Sequence, residues 1–411
     1  MPFIPSQPLL FAQAMLLVSW AALFAAEASP AGAVSPIRLV WIHAVALGWL
    51  TTTALAFMTH VVPAVTGVEW RFRRLAKRSI TVHMAGVVAL LLGFLLWKPA
   101  LVAGGGAVVT LGIAAYAAAF FATVATALRA GDAAARAIAR AFCLVVGALL
   151  AAVFLGLTMA AALAGGRPAL LQWAPIHGAL GTIGWIALLV AGVSARTFNR
   201  LIGRNDRRRA HVAISSTALA GLVVWIAGTA THVRAIAAIG GLSLAVSALM
   251  YAVTTLRALR ASTASHRLPR EFVFASMVWL IVASAFGVTT MVGYDLSSAM
   301  LFVLLVGWVG QTLNAHLMHT GIRVLATMTI DEDDDTEAID LLDRRWGLAS
   351  LAINQVAVLC GAIGLCIGST ALLRLAAVAG IGAMIAMAVN VLHARDVADK
   401  LRSVSRRRFT R

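Results

Sequence analysis

The side chains best suited to bind a metal ion or carry a proton in this 411-residue chain are its ten histidines. Two of them flank one apolar stretch, "WIHAVALGWLTTTALAFMTH", as His43 and His60, 17 residues apart. At about 1.5 Å per helical residue, they lie roughly 25 Å apart along one helix. These two histidines therefore belong to different sites, because one small site cannot span that distance.

An outer group of histidines consists of His43, His177 and His232, toward the outer ends of predicted helices 2, 6 and 7. A neutral imidazole is a good ligand for haem iron, copper or zinc. Three imidazoles at similar depth on different helices indicate a metal or haem site. The alternative is that each ring simply donates a hydrogen bond to a neighbouring helix.

An inner group consists of His60, His316 and His319, on predicted helices 2 and 10. His316 and His319 are three residues apart, so they face roughly the same side of their helix. We hypothesise that this group holds a second cofactor. His83 and His211 lie at similar depth but follow basic loops, and solvation at the headgroup level explains them equally well.

The elements that must position these histidines are membrane-spanning helices. The chain is 61% hydrophobic and only 12% charged, and one spanning helix needs roughly 20 mostly apolar residues. Twelve such stretches predict an all-α polytopic membrane protein with twelve transmembrane helices. The predicted spans are 8–28, 37–64, 79–97, 100–128, 136–163, 171–198, 211–232, 234–258, 271–292, 297–327, 347–370 and 372–394.

The net charge of +17 is concentrated in clusters between the apolar stretches, such as "RFRRLAKR" and "RNDRRR". With the N-terminus inside, all but five of the 33 basic residues fall on the inner side; the five are Arg38, Lys98, Arg167, Arg234 and Arg374. Since cytoplasmic loops are enriched in Lys and Arg, we predict cytoplasmic termini in the inner membrane of a bacterium. The clusters lack a basic face interleaved with aromatic residues, which argues against a nucleic-acid partner.

The acidic residues are unevenly distributed. Residues 329–345 hold eight of the sixteen and predict a solvated cytoplasmic loop, whereas 395–411 form a basic cytoplasmic tail. The other eight lie at helix ends or in loops, so no carboxylate is placed at mid-membrane. Proton pumps and ion-coupled carriers usually depend on buried acids, and this pattern weighs against both. The three cysteines lack the spacing of a zinc site or a disulfide framework.

A Gly-Trp pair recurs in predicted helices 2, 6 and 10, as Gly48-Trp49, Gly184-Trp185 and Gly307-Trp308. Eleven residues after each Trp stand His60, Arg196 and His319. The interval of four helices predicts three repeat units, about 1–128, 129–258 and 259–394, within one membrane domain of residues 1–411. Three four-helix units suggest a pseudo-threefold bundle. Chance recurrence in a chain rich in Gly and Trp is the alternative.

This layout resembles the catalytic subunit of the haem–copper oxidase superfamily, in particular its C-type-like relatives and the haem- and copper-containing membrane proteins of the nitric oxide response. That family has twelve helices in a pseudo-threefold arrangement, with metal ligands toward the outer side on even helices and helix 7. The segment "IHGALGTIGW" is similar to the helix-6 segment that supplies a copper ligand, which assigns that role to His177. His43 opens helix 2, where the family supplies an axial ligand to its low-spin haem.

The chain departs from the family at several ligand positions. "GTATHVRA" ends helix 7, where the family carries a His-His pair for copper, and this chain has only His232. In helix 10, Met300 and Phe302 stand where the family carries the histidines for its two haems. The tyrosine that cross-links in some members is absent near His177. These residues do not make an ordinary oxygen-reducing centre.

The resemblance implies a membrane redox protein that binds haem, of b type, with copper as a second candidate cofactor. Its chemistry would be electron transfer, or the handling of nitric oxide or oxygen. A transporter or channel, and an accessory subunit that lost its metal centre, are the alternatives. The lipid bilayer is the one certain partner, and a redox partner protein follows from the proposed chemistry. Enzymatic activity and oligomeric state stay open.

Overall fold

The computed structural model of the chain describes residues 6–26, 35–194, 208–262, 267–321 and 341–409. Within these ranges the chain forms twelve helices long and apolar enough to cross a membrane, and no strand. This confirms the prediction of an all-α polytopic membrane protein. The helices are α1 Ser6–Ala25, α2 Pro36–Thr66, α3 Arg73–Leu95, α4 Pro99–Ala130, α5 Ala133–Ala164, α6 Pro168–Ser194, α7 Arg208–Ala230, α8 Arg234–Arg260, α9 Arg267–Met291, α10 Ser297–His319, α11 Arg344–Ile367 and α12 Thr370–Phe409.

The last helix is longer than the sequence predicted. The predicted span ends at residue 394, but α12 continues to Phe409 through most of the predicted basic tail. Two ion pairs between residues four apart lie on this extension: Arg395 Nε is 3.8 Å from Asp399, and Lys400 Nζ is 2.6 Å from Asp396. Such pairs stabilise an exposed helix, so the charged composition does not end it.

The predicted acidic loop 329–345 lies mostly outside the described residues, which resume at Leu341. Its last acidic residue, Asp343, is the N-cap of α11, and its side chain accepts a hydrogen bond from the Arg345 backbone N–H at 2.7 Å. An aspartate at this position satisfies one of the amide groups that a helix start leaves without a partner.

The described chain divides into two compact units. The first comprises Met1–Gly192 and Ala218–Gly241, and the second comprises Val193–Thr217 and Leu242–Arg411. The first unit therefore contains α1 to α6 with parts of α7 and α8, and the second contains their remaining parts with α9 to α12. The single membrane domain, its three repeat units and their pseudo-threefold arrangement stay predictions.

In the first unit, α3 and α4 form a close-packed hairpin because glycines face each other across it. A methyl group at Gly86 would lie 2.5 Å from the backbone nitrogen of Val109, and one at Gly93 would lie 2.6 Å from that of Val102. On the opposite helix, a methyl group at Gly112 would lie 2.6 Å from the backbone nitrogen of His83. Small residues let membrane helices approach closely, and this approach fixes α3 against α4.

The Gly-Trp pairs share a local structure that the sequence did not predict. Each lies in an eight-residue π-helical segment: Ala44–Thr51 in α2, Leu180–Ala187 in α6 and Val303–Gly310 in α10. In all three segments the glycine is the fifth residue and the tryptophan the sixth. The same rare helix form at the same register supports a repeat over chance recurrence. Arg196, part of the predicted repeat pattern, lies outside the described residues.

The π segments of α2 and α6 are joined directly in the first unit. Trp185 Nε1 donates a hydrogen bond to Thr51 Oγ1 at 3.0 Å, and Thr51 donates to the Ala46 carbonyl at 2.7 Å. His83 of α3 is fully buried, and its Nε2 donates to the Leu47 carbonyl at 3.3 Å. A π-helix leaves some carbonyls accessible to side chains, and here Thr51 of the same helix and His83 of α3 bind two of them.

Candidate functional site

Two of the three outer histidines lie side by side in the first unit. The ring centres of His43, on α2, and His177, on α6, are 6.3 Å apart, and the two ring planes differ by 23°. Both residues lie just before the π segments of their helices, and His43 is the residue that immediately precedes Ala44–Thr51. The π segments that join α2 to α6 therefore also set the distance between these histidines.

Backbone hydrogen bonds fix the protonation pattern of both rings. Nδ1 of His43 is 2.8 Å from the Leu39 carbonyl, and Nδ1 of His177 is 2.8 Å from the Ala152 carbonyl. A carbonyl has no proton to donate, so Nδ1 must be the donor in each pair. In a neutral imidazole, Nε2 then keeps its lone pair. Metal-binding histidines typically show this arrangement, in which the non-ligating nitrogen donates to a backbone carbonyl.

The neighbouring helices leave space for the two rings. A methyl group at Gly156 on α5 would lie 2.8 Å from His177 Cε1, so only glycine admits the ring at its present position. The Phe94 ring on α3 lies 4.8 Å from the His43 ring, centre to centre. The close-packed hairpin of α3 and α4 holds Phe94 in place. The two imidazoles are thus positioned by the space at Gly156 on one side and by the Phe94 ring on the other.

The face of α6 below His177 is open. A methyl group at Gly178 or Gly181 would meet no atom within 4 Å. Gly181 is four residues after His177 and therefore lies on the same face of the helix. His43, Ala46 and Leu47 on α2 are also incompletely buried, although the segment around them is otherwise largely buried. The strip of α6 beside His177 is therefore not closely packed.

The separation of the rings is compatible with two imidazoles that would hold one metal ion. With metal–nitrogen bonds of about 2 Å, two such imidazoles have ring centres about 6 Å apart, which agrees with the 6.3 Å between His43 and His177. A haem needs only axial ligands from the protein, because its macrocycle supplies the others. These two residues therefore fit a haem better than a copper or zinc ion held by three or four protein ligands.

The predicted three-histidine arrangement is not found. His232, the third member of the outer group, is exposed and lies at a turn after α7 with a positive φ of 59°. In the part of the chain that the structure describes, no three His, Cys, Asp or Glu side chains are grouped so that they could hold one metal ion.

The inner histidines occupy three different settings. His60 lies in the first unit beside a cavity of about 20 Å³ that Trp70, Arg73 and Lys77 also line, enough for about one water molecule. In the second unit, His316 Nδ1 is 2.8 Å from the Thr312 carbonyl. His319 is buried in a short π-helical segment, Leu317–Gly321. A role of these three in cofactor binding stays a prediction.

In the predicted third repeat unit, a glycine again faces the position equivalent to His177, but the residue at that position is not a histidine. His177 stands seven residues before Gly184, and Met300 stands seven before Gly307. A methyl group at Gly287 on α9 would lie 3.3 Å from Met300 Sδ, as one at Gly156 would approach His177. The methionine thus occupies the place of the histidine, and a thioether is a much weaker ligand than imidazole.

Sequence reasoning missed two residues that build this site. Gly156 was not singled out, although the Gly-aliphatic-Thr sequence that it begins recurs at Gly287, four helices later. From the sequence, headgroup solvation explains His83 as well as a ligand role does, yet this residue is fully buried and its ring binds the π segment of α2. The recurrence of this sequence after four helices is a signal that points to Gly156. No comparable pattern in the sequence points to His83.

Comparison with known proteins does not identify this chain. No protein-family model and no curated protein matches its sequence.

Proposed function

We propose that this chain is a haem-binding membrane redox protein that transfers electrons. The observation that supports the proposal is the pair of imidazoles of His43 and His177, 6.3 Å apart, with each Nδ1 bound to a backbone carbonyl. His43 and His177 would hold one haem through their Nε2 atoms. The haem would be of b type, because the chain has no Cys-x-x-Cys-His sequence for covalent attachment.

Bound haem would supply the chemistry, which is the reversible uptake of one electron. The protein contributes ligand orientation and electrostatics. The Leu39 and Ala152 carbonyls accept hydrogen bonds from Nδ1, which orients each ring and increases the basicity of its Nε2. Because two imidazoles of the protein would hold the iron, the site favours electron transfer over the binding of oxygen or nitric oxide. A redox partner protein would then deliver or accept the electron.

We further infer that the protein lies in the inner membrane of a bacterium with both termini in the cytoplasm. The support is the distribution of Lys and Arg, of which all but five would be on the inner side. His43 and His177 would then lie toward the outer surface, which is where an extracytoplasmic redox partner would exchange electrons.

The decisive experiment is a reduced-minus-oxidised absorption spectrum of the detergent-purified protein, combined with iron and copper analysis of the same sample. We expect a Soret band and about one iron per chain. In His43→Ala and His177→Ala, the haem content should fall more than about tenfold, because loss of a ligand costs at least as much as loss of its hydrogen-bonding partner.

His393→Ala is the matched control. His393 is exposed on α12, and its replacement should leave the spectrum unchanged. Equal haem content in all three variants would show that the His43 and His177 rings serve only to bind backbone carbonyls. Absence of iron from the wild-type protein, expressed with ample haem, would reject the redox function and favour an accessory or transport role.

A further inference from the structure

The second unit contains an open groove of about 820 Å³, bordered by the end of α8, the first half of α9 and one side of α11. This volume falls within the range of about 300–1,000 Å³ that is typical of small-molecule sites. The groove lies wholly within the second unit and has no part in the proposed haem site. Its lining is basic at one end and apolar along the rest, and this combination indicates the kind of molecule that it binds.

The rim of the groove is basic. Arg260 is the last residue of α8 and Arg267 the first of α9, and both are exposed. A third arginine, Arg270, donates a hydrogen bond to the Leu259 carbonyl at 2.9 Å. This bond satisfies a carbonyl in the last turn of α8 and holds the beginning of α9 beside it. The rim therefore has a fixed backbone and concentrates positive charge.

The acidic residue that lines the groove does not cancel this charge. Glu271 pairs with Arg344, whose Nη2 is 3.3 Å from Glu271 Oε1. This pair carries no net charge, so the three arginines of the rim leave it positive and it attracts anions. Arginine suits a phosphate group in particular, because its planar guanidinium can donate two parallel hydrogen bonds to it.

The wall below the rim is apolar and accessible. Phe274 is 53% exposed and Val278 is 40% exposed, although both lie within the spanning helix α9. Trp279, at the other end of the groove, is twelve residues after Arg267, which is about 18 Å along the helix. One leaflet of a bilayer has a hydrocarbon depth of about 15 Å. The groove thus extends from the headgroup level to the middle of the membrane.

At the end of the groove farthest from the arginines, a bound molecule needs no hydrogen-bonding group. Trp279 Nε1 donates to Gln355 Oε1 at 2.7 Å. Gln355 Nε2 in turn donates to Gln311 Oε1 at 2.9 Å and to the Leu351 carbonyl at 3.2 Å. Because these polar atoms already bind one another, an acyl chain can end against them without leaving a hydrogen bond unmade.

We propose that this groove is a binding site for an anionic phospholipid. The phosphate lies between Arg260 and Arg267, and one acyl chain lies along Phe274 and Val278. Free inorganic phosphate satisfies only the rim, whereas a phospholipid also covers the exposed apolar wall. The sequence predicts that the α8–α9 connection is cytoplasmic, and the cytoplasmic leaflet is the one enriched in anionic lipids.

The test uses the full-length protein, purified in mild detergent. Native mass spectrometry measures the lipid that remains bound, and thermal unfolding measures the stabilisation by added lipid. Phosphatidylglycerol should be retained and should raise the unfolding temperature, whereas phosphatidylcholine and inorganic phosphate should not. In Arg260→Ala/Arg267→Ala, the affinity for phosphatidylglycerol should fall about tenfold or more, as expected for the loss of two membrane-facing cations.

Two further variants test whether lipid retention depends on the groove itself or only on the positive charge of the surface. Arg257→Ala/Arg345→Ala removes two exposed arginines outside the groove lining and should leave retention unchanged. Ala275→Phe keeps every charge but fills the groove beside Phe274, so it should also abolish retention. Equal loss in the control double variant would overturn the proposal in favour of a non-specific basic belt. Retention in both groove variants, or stabilisation by inorganic phosphate alone, would overturn it as well.

Discussion

His177 occupies its position because the neighbouring helix lacks a side chain at Gly156. The ring fills the space where a methyl group would be, 2.8 Å from Cε1 and 3.2 Å from Nδ1. From there Nδ1 reaches the Ala152 carbonyl on the same helix, α5. A glycine and a carbonyl four residues apart on α5 thus determine both the place and the tautomer of this histidine.

Replacement of Gly156 by alanine should therefore lower haem binding without removing a ligand. The added methyl group contacts the end of a side chain rather than backbone, so the His177 ring should rotate away and lose its bond to Ala152. We expect the haem content to fall about tenfold, which is the usual cost of losing a hydrogen-bonding partner of a ligand. The measurement is the haem absorbance per chain of the purified variant.

Gly147→Ala provides the control on the same helix, since a methyl group there would meet no atom within 4 Å. Both variants should unfold at nearly the wild-type temperature. If Gly156→Ala kept its full haem content, His177 would not be an axial ligand in the position that the structure gives it.

At the scale of the helix, the π segments explain how two histidines on separate helices come together. The hydrogen bond from Trp185 to Thr51 joins α2 and α6 about two turns after His43 and His177. On the opposite side of α2, a methyl group at Gly48 would lie 2.6 Å from Met15 Cβ, so α1 also packs closely there. The glycine of the pair in α2 thus supplies a close contact, and the tryptophan of the pair in α6 supplies a polar one.

Replacement of Thr51 by valine tests this connection, because valine has the same shape but neither accepts nor donates a hydrogen bond. The Trp185 N–H would lose its partner in a buried position, as would the Ala46 carbonyl. We expect the free energy of unfolding in detergent to fall by about 1 kcal/mol, the magnitude typical of hydrogen bonds between membrane helices. A haem content that falls together with it would show that the π segments position the histidines.

Thr158→Val is the matched control. The Thr158 hydroxyl is exposed and donates only to the Phe154 carbonyl of its own helix, at 2.9 Å, so its loss should change the free energy of unfolding by less than about 0.5 kcal/mol. Equal destabilisation by the two variants would mean that the contact between α2 and α6 adds nothing to stability.

The sequence predicted the helices well, but not which of the histidines meet. Apolar length is visible in a sequence, and so is position along a helix, which is why His43 and His177 were placed in one layer. The same reasoning placed His232 with them, whereas it lies exposed at a turn. Depth does not reveal which helices are neighbours, and a π segment has the same apolar composition as an α-helix. Which helices are neighbours and where a π segment forms both depend on packing between distant parts of the chain.

At the scale of the whole molecule, the charge distribution predicts the orientation in the membrane. Arg167, in the exposed connection between α5 and α6, should face the outside, whereas Arg345, at the exposed beginning of α11, should face the cytoplasm. The physical reason is that short loops rich in Lys and Arg are not translocated. The orientation decides whether the proposed lipid groove opens to the cytoplasmic leaflet.

Single cysteines at these two positions, in a variant lacking Cys143, Cys360 and Cys366, allow the orientation to be measured. In intact cells a membrane-impermeant maleimide should label Arg167→Cys fully and Arg345→Cys only after the cells are opened. Labelling of both positions only after opening would indicate poor access rather than orientation, so a permeant maleimide serves as the control in each case. The reverse pattern would contradict the prediction, because nearly all of the cations of the chain would then have crossed the membrane.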